Sequence, residues 1–294
     1  MKVVAGTSHV ALAESIARYL KVSLASVDIG RFADSEIYIK VQENVTGEDV
    51  YIVQSLAPFV HEYLIELCGL SYALKKKGAK KIIAVIPYYA YARQDKENQD
   101  FVFLVANLLK ASGVDNILTL DFHNPGIKRF LPLSVDVSTV IPIFANDIQN
   151  RFENKSIAIV SPDVGGIDRA RCLSEKLNAD LVALSKVRES IGEDVCILKI
   201  ETDVKGKNCV IIDDIVDSGA TLFRAAEALK KAGAREVHAY VTHAVLSNGV
   251  DKLKQSKIDS LTTTNSIKQS DKINSFNILS IAETLANRIM EKSE

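Results

Sequence analysis

Two stretches of the chain read as copies of one another, and this constrains the fold more than any other feature. "VTGEDVYIVQS" (Val45 to Ser55) shares its valine, glycine and apolar pattern with "VKGKNCVIIDD" (Val204 to Asp214). Further along, "LKKKGAKKIIAVI" from Leu74 matches "LKKAGAREVHAYV" from Leu229. In both halves an apolar strand pattern is followed by a helical pattern and a second strand, which predicts two similar α/β domains from a duplication. Chance likeness among amphipathic elements is the competing explanation.

The remaining chain keeps the same alternation. "KVVAG", "NILTLDF", "SIAIVSP", "DLVALS" and "EVHAYVTHAVL" read as strands, and helical periodicity covers Glu62 to Lys76, Phe101 to Ser112, Arg169 to Leu177, Leu222 to Ala232 and Ile281 to Lys292. Strands alternating with helices imply βαβ units and largely parallel central sheets. The polar run "NDIQNRFENK" (Asn146 to Lys155) is the natural boundary, giving domains 1–148 and 149–294.

A formal net charge of -1, with 25% charged residues, argues against a nucleic-acid or membrane-surface partner. No apolar run reaches the length of a membrane span. The start, "MKVVAGTSHV", lacks a long apolar signal core, so a cytoplasmic location is expected. Cys68, Cys172, Cys196 and Cys209 are widely spaced within apolar patterns and read as buried, reduced thiols.

The chemistry concentrates in "IIDDIVDSGATL". Asp213 and Asp214 end an apolar strand, where crowded carboxylates repel one another unless hydroxyls or a cation meet them. Such a pair accepts hydrogen bonds from vicinal sugar hydroxyls or holds Mg²⁺ through water. The turn Asp217, Ser218, Gly219, Ala220 and Thr221 then opens a helix, and its amides and hydroxyls suit a phosphate. Together these describe a pentose 5-phosphate site. Helix capping by Asp217 or Ser218 is the plainer reading of the turn, but it leaves Asp213 and Asp214 without a role. The first half carries Gln54 and Ser55 where the second has this pair.

This segment resembles the ribose-phosphate signature of type I phosphoribosyltransferases and ribose-phosphate pyrophosphokinases. "RFADSEIYIKVQENVTGEDVYIVQS", "PYYAYARQDK", "LDFH" and "SPDVGGIDRA" are similar to motifs of the pyrophosphokinases, in the same order and over nearly the whole chain. The resemblance implies an α/β fold of two similar phosphoribosyltransferase-like domains. It also implies transfer of the β,γ-diphosphate of ATP to the 1-hydroxyl of ribose 5-phosphate, with Mg²⁺ as cofactor.

The resemblance assigns the other residues. Arg93, Gln94 and Asp95 fall on an ATP site; a surface loop of ordinary charges is the alternative. His123 would bind a Mg²⁺ or a phosphate oxygen, with Asp121 and Asp136 near the metal, although a lone strand-end His also suits a structural role. Asp163 would face ribose 5-phosphate or a second Mg²⁺, or else cap a turn. Phe32, Asp34 and Glu36 alternate, placing them on one face of an extended segment. In the family that segment reaches the ATP site of a neighbouring subunit, which implies at least a dimer; an amphipathic edge strand is the plainer reading. Lys186 and Arg188 match the family's catalytic basic pair, in a polar hairpin tip able to close over a nucleotide.

The pattern departs from the family after Lys96, where "ENQDFVFLVANLL" lacks a basic, proline-containing segment that helps form an allosteric site in many members. Pro132 stands where an acid is common, leaving Asp136. Two other readings remain: a type I phosphoribosyltransferase, and a non-catalytic synthetase-associated regulatory subunit. Release of AMP separates both from the synthetase.

Overall fold

The computed structural model describes residues 1–93, 100–124, 126–153, 155–188, 196–200, 202–247, 256–269 and 276–293. They form two compact units. The first comprises Met1–Thr139, Asn265–Lys268 and Ser280–Glu294, and the second Val140–Thr264 and Gln269–Leu279.

In the first unit β1 (Lys2–Ala5), β4 (Asp49–Val53), β5 (Lys81–Ile86), β6 (Asn116–Leu120) and β7 (Ser134–Ser138) make a parallel sheet in that order. Helices α1 (Val10–Tyr19), α2 (Val60–Lys76) and α3 (Asp100–Ala111) belong to the same unit. Among the described residues, strands β2 (Val27–Arg31) and β3 (Ile37–Val41) pair only with each other, as an antiparallel hairpin. The second unit has the order β10-β9-β8-β11-β12-β13-β14, from β8 (Ile157–Ser161), β9 (Asp180–Arg188), β10 (Cys196–Ile200), β11 (Asn208–Val216), β12 (Glu236–Ala244), β13 (Ser260–Thr264) and β14 (Asn277–Leu279). All its neighbours are parallel except β9 and β10. Its helices are α4 (Ile141–Arg151), α5 (Ile167–Leu177) and α6 (Ala220–Lys231).

The repeat is present in the backbone. Asp49 lies opposite Lys81 in the first unit, and Asn208 opposite Glu236 in the second. The Gly47 amide donates to Gly78 O at 2.8 Å, and the Gly206 amide to Gly233 O at 2.9 Å. Even a side-chain clamp recurs. Asp115 accepts from Lys75 Nζ at 2.8 Å and the Ile82 amide at 2.7 Å. Asp259 accepts from Lys230 Nζ and the Val237 amide, both at 2.7 Å. Each clamp ties the helix C-terminus to the strand that follows it.

The units depart from the expected 1–148 and 149–294 division in two places. Residues 146–151 continue helix α4, which starts the second unit; they are not a linker. Ile141, Phe144, Ala145 and Ile148 form its buried stripe, while Asn146, Gln149 and Asn150 lie on the exposed face. The polar run is therefore the outer side of an amphipathic helix. At the other end, α7 (Ala282–Ser293) follows β14 in sequence but packs on α1 of the first unit, burying Leu285, Ala286 and Ile289.

Asp136 helps to hold α7. It lies mid-strand in β7, and both carboxylate oxygens accept from Arg288, Nε at 2.7 Å and the second guanidinium nitrogen at 2.8 Å, with Lys292 Nζ at 3.3 Å. This corrects its expected place beside a metal: the carboxylate is spent on a helix anchor. Burial by itself would raise its pKa, but the Arg288 and Lys292 contacts outweigh it and hold the group below the usual range. A depressed pKa gives stability that is present above the unfolded value, near 3.9, and lost as pH falls through the folded one. Arg288→Met should cost about 1–3 kcal/mol at neutral pH, toward the lower end because the pair is partly solvated. Urea unfolding of both proteins at about pH 7 and pH 3 checks this. An equal gap at both pH values would contradict the anchor.

Among the described residues no helix is long and apolar enough to cross a membrane. Cys209 is buried, and burial pushes its thiol up to about 11, whereas Cys172 is exposed on α5 rather than buried as expected.

Candidate active site

In the second unit the chain lays β9 on one side of β8 and β11 on the other, so the direction of strand addition reverses between β8 and β11. A ligand crevice forms beyond the carboxyl ends of strands at such a point. The β8–β11 pairing stops at Ile211 opposite Val160, yet β11 runs on to Val216 beside β12. Asp213 and Asp214 are therefore not the strand end but lie within its overhang, past the last rung with β8.

Both carboxylates are nearly buried, with side chains 15% and 6% exposed. Arg169 of α5 reaches them at 3.6 Å and 3.4 Å. Burial, and then the neighbouring Asp214, push the Asp213 pKa well above the carboxylate range; Arg169 opposes this incompletely. The pair therefore retains a proton at a pH where ordinary carboxylates are ionised. Because the folded state then holds more protons than the unfolded chain, stability falls as pH rises from about 3.9 through the raised value. Asp213→Asn should thus raise the melting temperature of ligand-free protein at about pH 9, by a few degrees for each kcal/mol relieved. The gain should vanish near pH 4, and scanning calorimetry at both pH values would expose a constant gap.

The turn from Asp217 to Thr221 follows directly. Gly219 has φ +77° and precedes α6, and a Cβ built there would lie 2.4 Å from Cζ of Phe223. The left-handed backbone favours glycine there, and a larger residue would also have to displace the Phe223 ring. Ser218 and Ala220 are exposed, and Thr221 is half-buried in the first turn of α6. Asp163 stands just past β8, where Oδ1 accepts the Gly166 amide at 3.1 Å and Ser161 Oγ donates to Asp163 O at 2.7 Å. The turn-capping role is thus real, and it fixes the carboxylate just past the end of β8, the strand beside β11.

The equivalent position of the first unit is filled by its own side chains. Gln54 is fully buried; Oε1 accepts the Ser8 amide at 3.0 Å, and Nε2 donates to Glu66 at 2.8 Å. The Ser55 amide donates to Ser8 Oγ at 2.8 Å, and Ser55 Oγ to Ser266 O at 2.6 Å. Gly6 is needed for this packing, since a Cβ there would come within 2.3 Å of Gln54 Oε1. A polar network closed on itself has no place for a sugar diol.

Elsewhere in the first unit, Phe32, Asp34 and Glu36 are not on an extended face. They form the tip joining β2 to β3: the Phe32 amide donates to Glu36 O at 2.9 Å, and the Glu36 amide to Asp34 Oδ1 at 3.1 Å. Ser35 sits at φ +74° within this Asx turn, which breaks the alternation. Phe32 is 59% exposed, its ring 5.3 Å from that of Tyr38. Arg93 donates to the Tyr88 hydroxyl at 3.1 Å. Gln94 and Asp95 lie outside the described residues. Asp121 and His123 follow β6, and the Asp121 amide donates to Ser138 O at 3.0 Å with φ at +35°. Lys186 and Arg188 are not on a loop: β9 carries them, opposite Leu198 and Cys196 of β10. The rest of the expected hairpin tip, residues 189–194 of "KVRESIGED", lies outside the described residues.

Arg169 was not singled out from sequence. It is inside "SPDVGGIDRA", but which acids it faces depends on how α5 packs against β8 and β11. Among the described residues no three His, Cys, Asp or Glu side chains converge as a metal cage. Mg²⁺ carried by substrate phosphates needs only one or two carboxylates, and the strand-end acids Asp121 and Asp163 are of that kind.

An open, largely parallel sheet with a carboxylate pair and a glycine turn opening a helix at its switch point is the pattern of a phosphoribosyltransferase-type unit, here joined to a duplicate that lacks the pair. The comparisons agree. A profile of the N-terminal domain of ribose phosphate pyrophosphokinase matches residues 1–113, and one of the phosphoribosyl transferase domain matches residues 138–275. A ribose-phosphate pyrophosphokinase of Agrobacterium fabrum is 43% identical over 289 residues, covering 97% of this chain and 93% of the relative. One from Brucella melitensis is 41% identical over 297 residues, covering 98% and 96%. The crystal structure of phosphoribosylpyrophosphate synthetase from Mycobacterium smegmatis superposes with a TM-score of 0.90 at 30% identity, covering 100% of this chain and 99% of that one. The chain belongs to the ribose-phosphate pyrophosphokinase family.

Proposed function

We propose that the second unit seats ribose 5-phosphate and that the chain transfers the β,γ-diphosphate of ATP to its 1-hydroxyl, releasing AMP. Formation of phosphoribosyl diphosphate from ribose 5-phosphate and ATP is the reaction of this family, and this chain is an enzyme of that kind. The observation that carries the seating is the asymmetry of the repeat. The second unit presents Asp213 and Asp214 beside a phosphate turn, whereas Gln54 and Ser55 of the first are tied up internally.

Asp213 and Asp214 accept the sugar's vicinal hydroxyls, and the turn from Asp217 to Thr221 holds the 5-phosphate. Asp163 lies at the same crevice mouth. The nucleophile is the substrate's own 1-hydroxyl. Lys186 and Arg188 neutralise charge on the moving diphosphate and departing AMP. Phe32, Asp34, Glu36, Arg93, Gln94, Asp95 and His123 form the ATP side, the hairpin tip reaching a neighbouring subunit, so the working protein is at least a dimer. Asp121, His123 or Asp163 would hold Mg²⁺, which would supply positive charge against the phosphate oxygens. The cytoplasm is the proposed location.

Calorimetric titration tests the seating. Asp213→Asn/Asp214→Asn should bind ribose 5-phosphate at least about tenfold more weakly, as expected when charge-assisted hydrogen bonds are replaced. Unchanged affinity would remove the diol assignment.

A further inference from the structure

Asp217 poses an electrostatic difficulty in a phosphate turn, because a carboxylate at the rim of an anion site repels the anion it is meant to admit. The segment just after β12 answers it. Val216 O accepts the amides of Val245 at 2.9 Å and Leu246 at 3.2 Å, fastening that segment to the base of the turn. Leu246 is 8% exposed and packs in the core with Val216 and Leu222. Its backbone is left-handed, φ +48°, an unfavourable state for a branched residue that persists only where the surroundings enforce it. The outcome is the placement of Ser247, whose amide donates to Asp217 Oδ1 at 3.0 Å and whose hydroxyl donates to the same oxygen.

We propose that Ser247 is a positioning residue for the 5-phosphate: its two donors hold the Asp217 carboxylate toward the end of β12, so that the turn presents donors rather than negative charge to the phosphate. This rests on the reading of Asp217 to Thr221 as the phosphate turn. Asp217 thereby serves the site as an anchor for the turn. The strained Leu246 is the structural cost of setting that anchor.

The test compares ribose 5-phosphate with unphosphorylated ribose, titrated by calorimetry into wild type, Ser247→Ala, Ser247→Cys and Ser247→Thr. Cysteine keeps the size and the backbone donor but is a weak side-chain donor, so it serves should the alanine variant fail to fold. Ser247→Ala and Ser247→Cys should bind ribose 5-phosphate about tenfold more weakly, the scale of one lost hydrogen bond to a charged group. Their affinity for ribose should stay within about twofold, and Ser247→Thr should recover most of the loss. Unchanged ribose 5-phosphate affinity in the alanine and cysteine variants would overturn the role. So would an equal loss for both sugars, or a threonine variant as weak as alanine. A wild type that binds ribose as tightly as ribose 5-phosphate would instead remove the phosphate-turn reading, and the proposal with it.

Discussion

Lys186→Ala lowers turnover by about 100- to 1,000-fold, the usual consequence of removing one group that stabilises transition-state charge, while ribose 5-phosphate affinity changes by less than about threefold. Pairing of β9 with β8 ends at Ala183 opposite Ser161, and Lys186 lies further along β9, at the same end as Asp163. Diphosphate transfer needs little covalent help from the protein; it needs the reactants in line and the spreading negative charge met by cations. An ammonium that meets charge only as the diphosphate moves affects kcat and kcat/KM together. Initial rates across both substrates, with a separate ribose 5-phosphate titration, check the split. A loss confined to KM would assign Lys186 to ground-state binding and contradict the role.

Arg169→Met destabilises the ligand-free protein by about 3–5 kcal/mol, as expected when one partner of a buried charge cluster is removed. Two carboxylates, Asp213 and Asp214, then remain nearly buried without the guanidinium that the structure sets 3.6 Å and 3.4 Å away. The remedy open to the variant is proton uptake, so its deficit should shrink as pH falls toward about 5. Adding Asp213→Asn/Asp214→Asn, which removes the charge the pair still carries, should recover much of the loss, a coupling that a mutant cycle measures directly. Additive losses in urea unfolding would mean that Arg169 contributes packing alone.

The duplication was legible because it rests on local pattern: the repeated glycines and strand runs became identical registers in both units. The misreadings share a different origin. Asn146 to Lys155 read as the domain boundary because one face of α4 is polar, and only tertiary packing shows its other face buried. Phe32 to Glu36 alternate in type, but the Asp34 turn chemistry overrides that pattern. Asp136 carried the right chemistry for a metal, and its partner Arg288 lies 152 residues further along the chain. Arg169 and Ser247 were missed for the same reason: each acts on an acid brought to it by the sheet. Charges declare their type in a sequence, but not their partners.

The most direct test of the central claim is a time course with purified protein, ATP, ribose 5-phosphate and Mg²⁺, in which AMP and phosphoribosyl diphosphate are quantified together. The account predicts that both accumulate one for one, and that Asp213→Asn/Asp214→Asn suppresses both. ADP in place of AMP, or neither product from folded protein that binds both substrates, would contradict it.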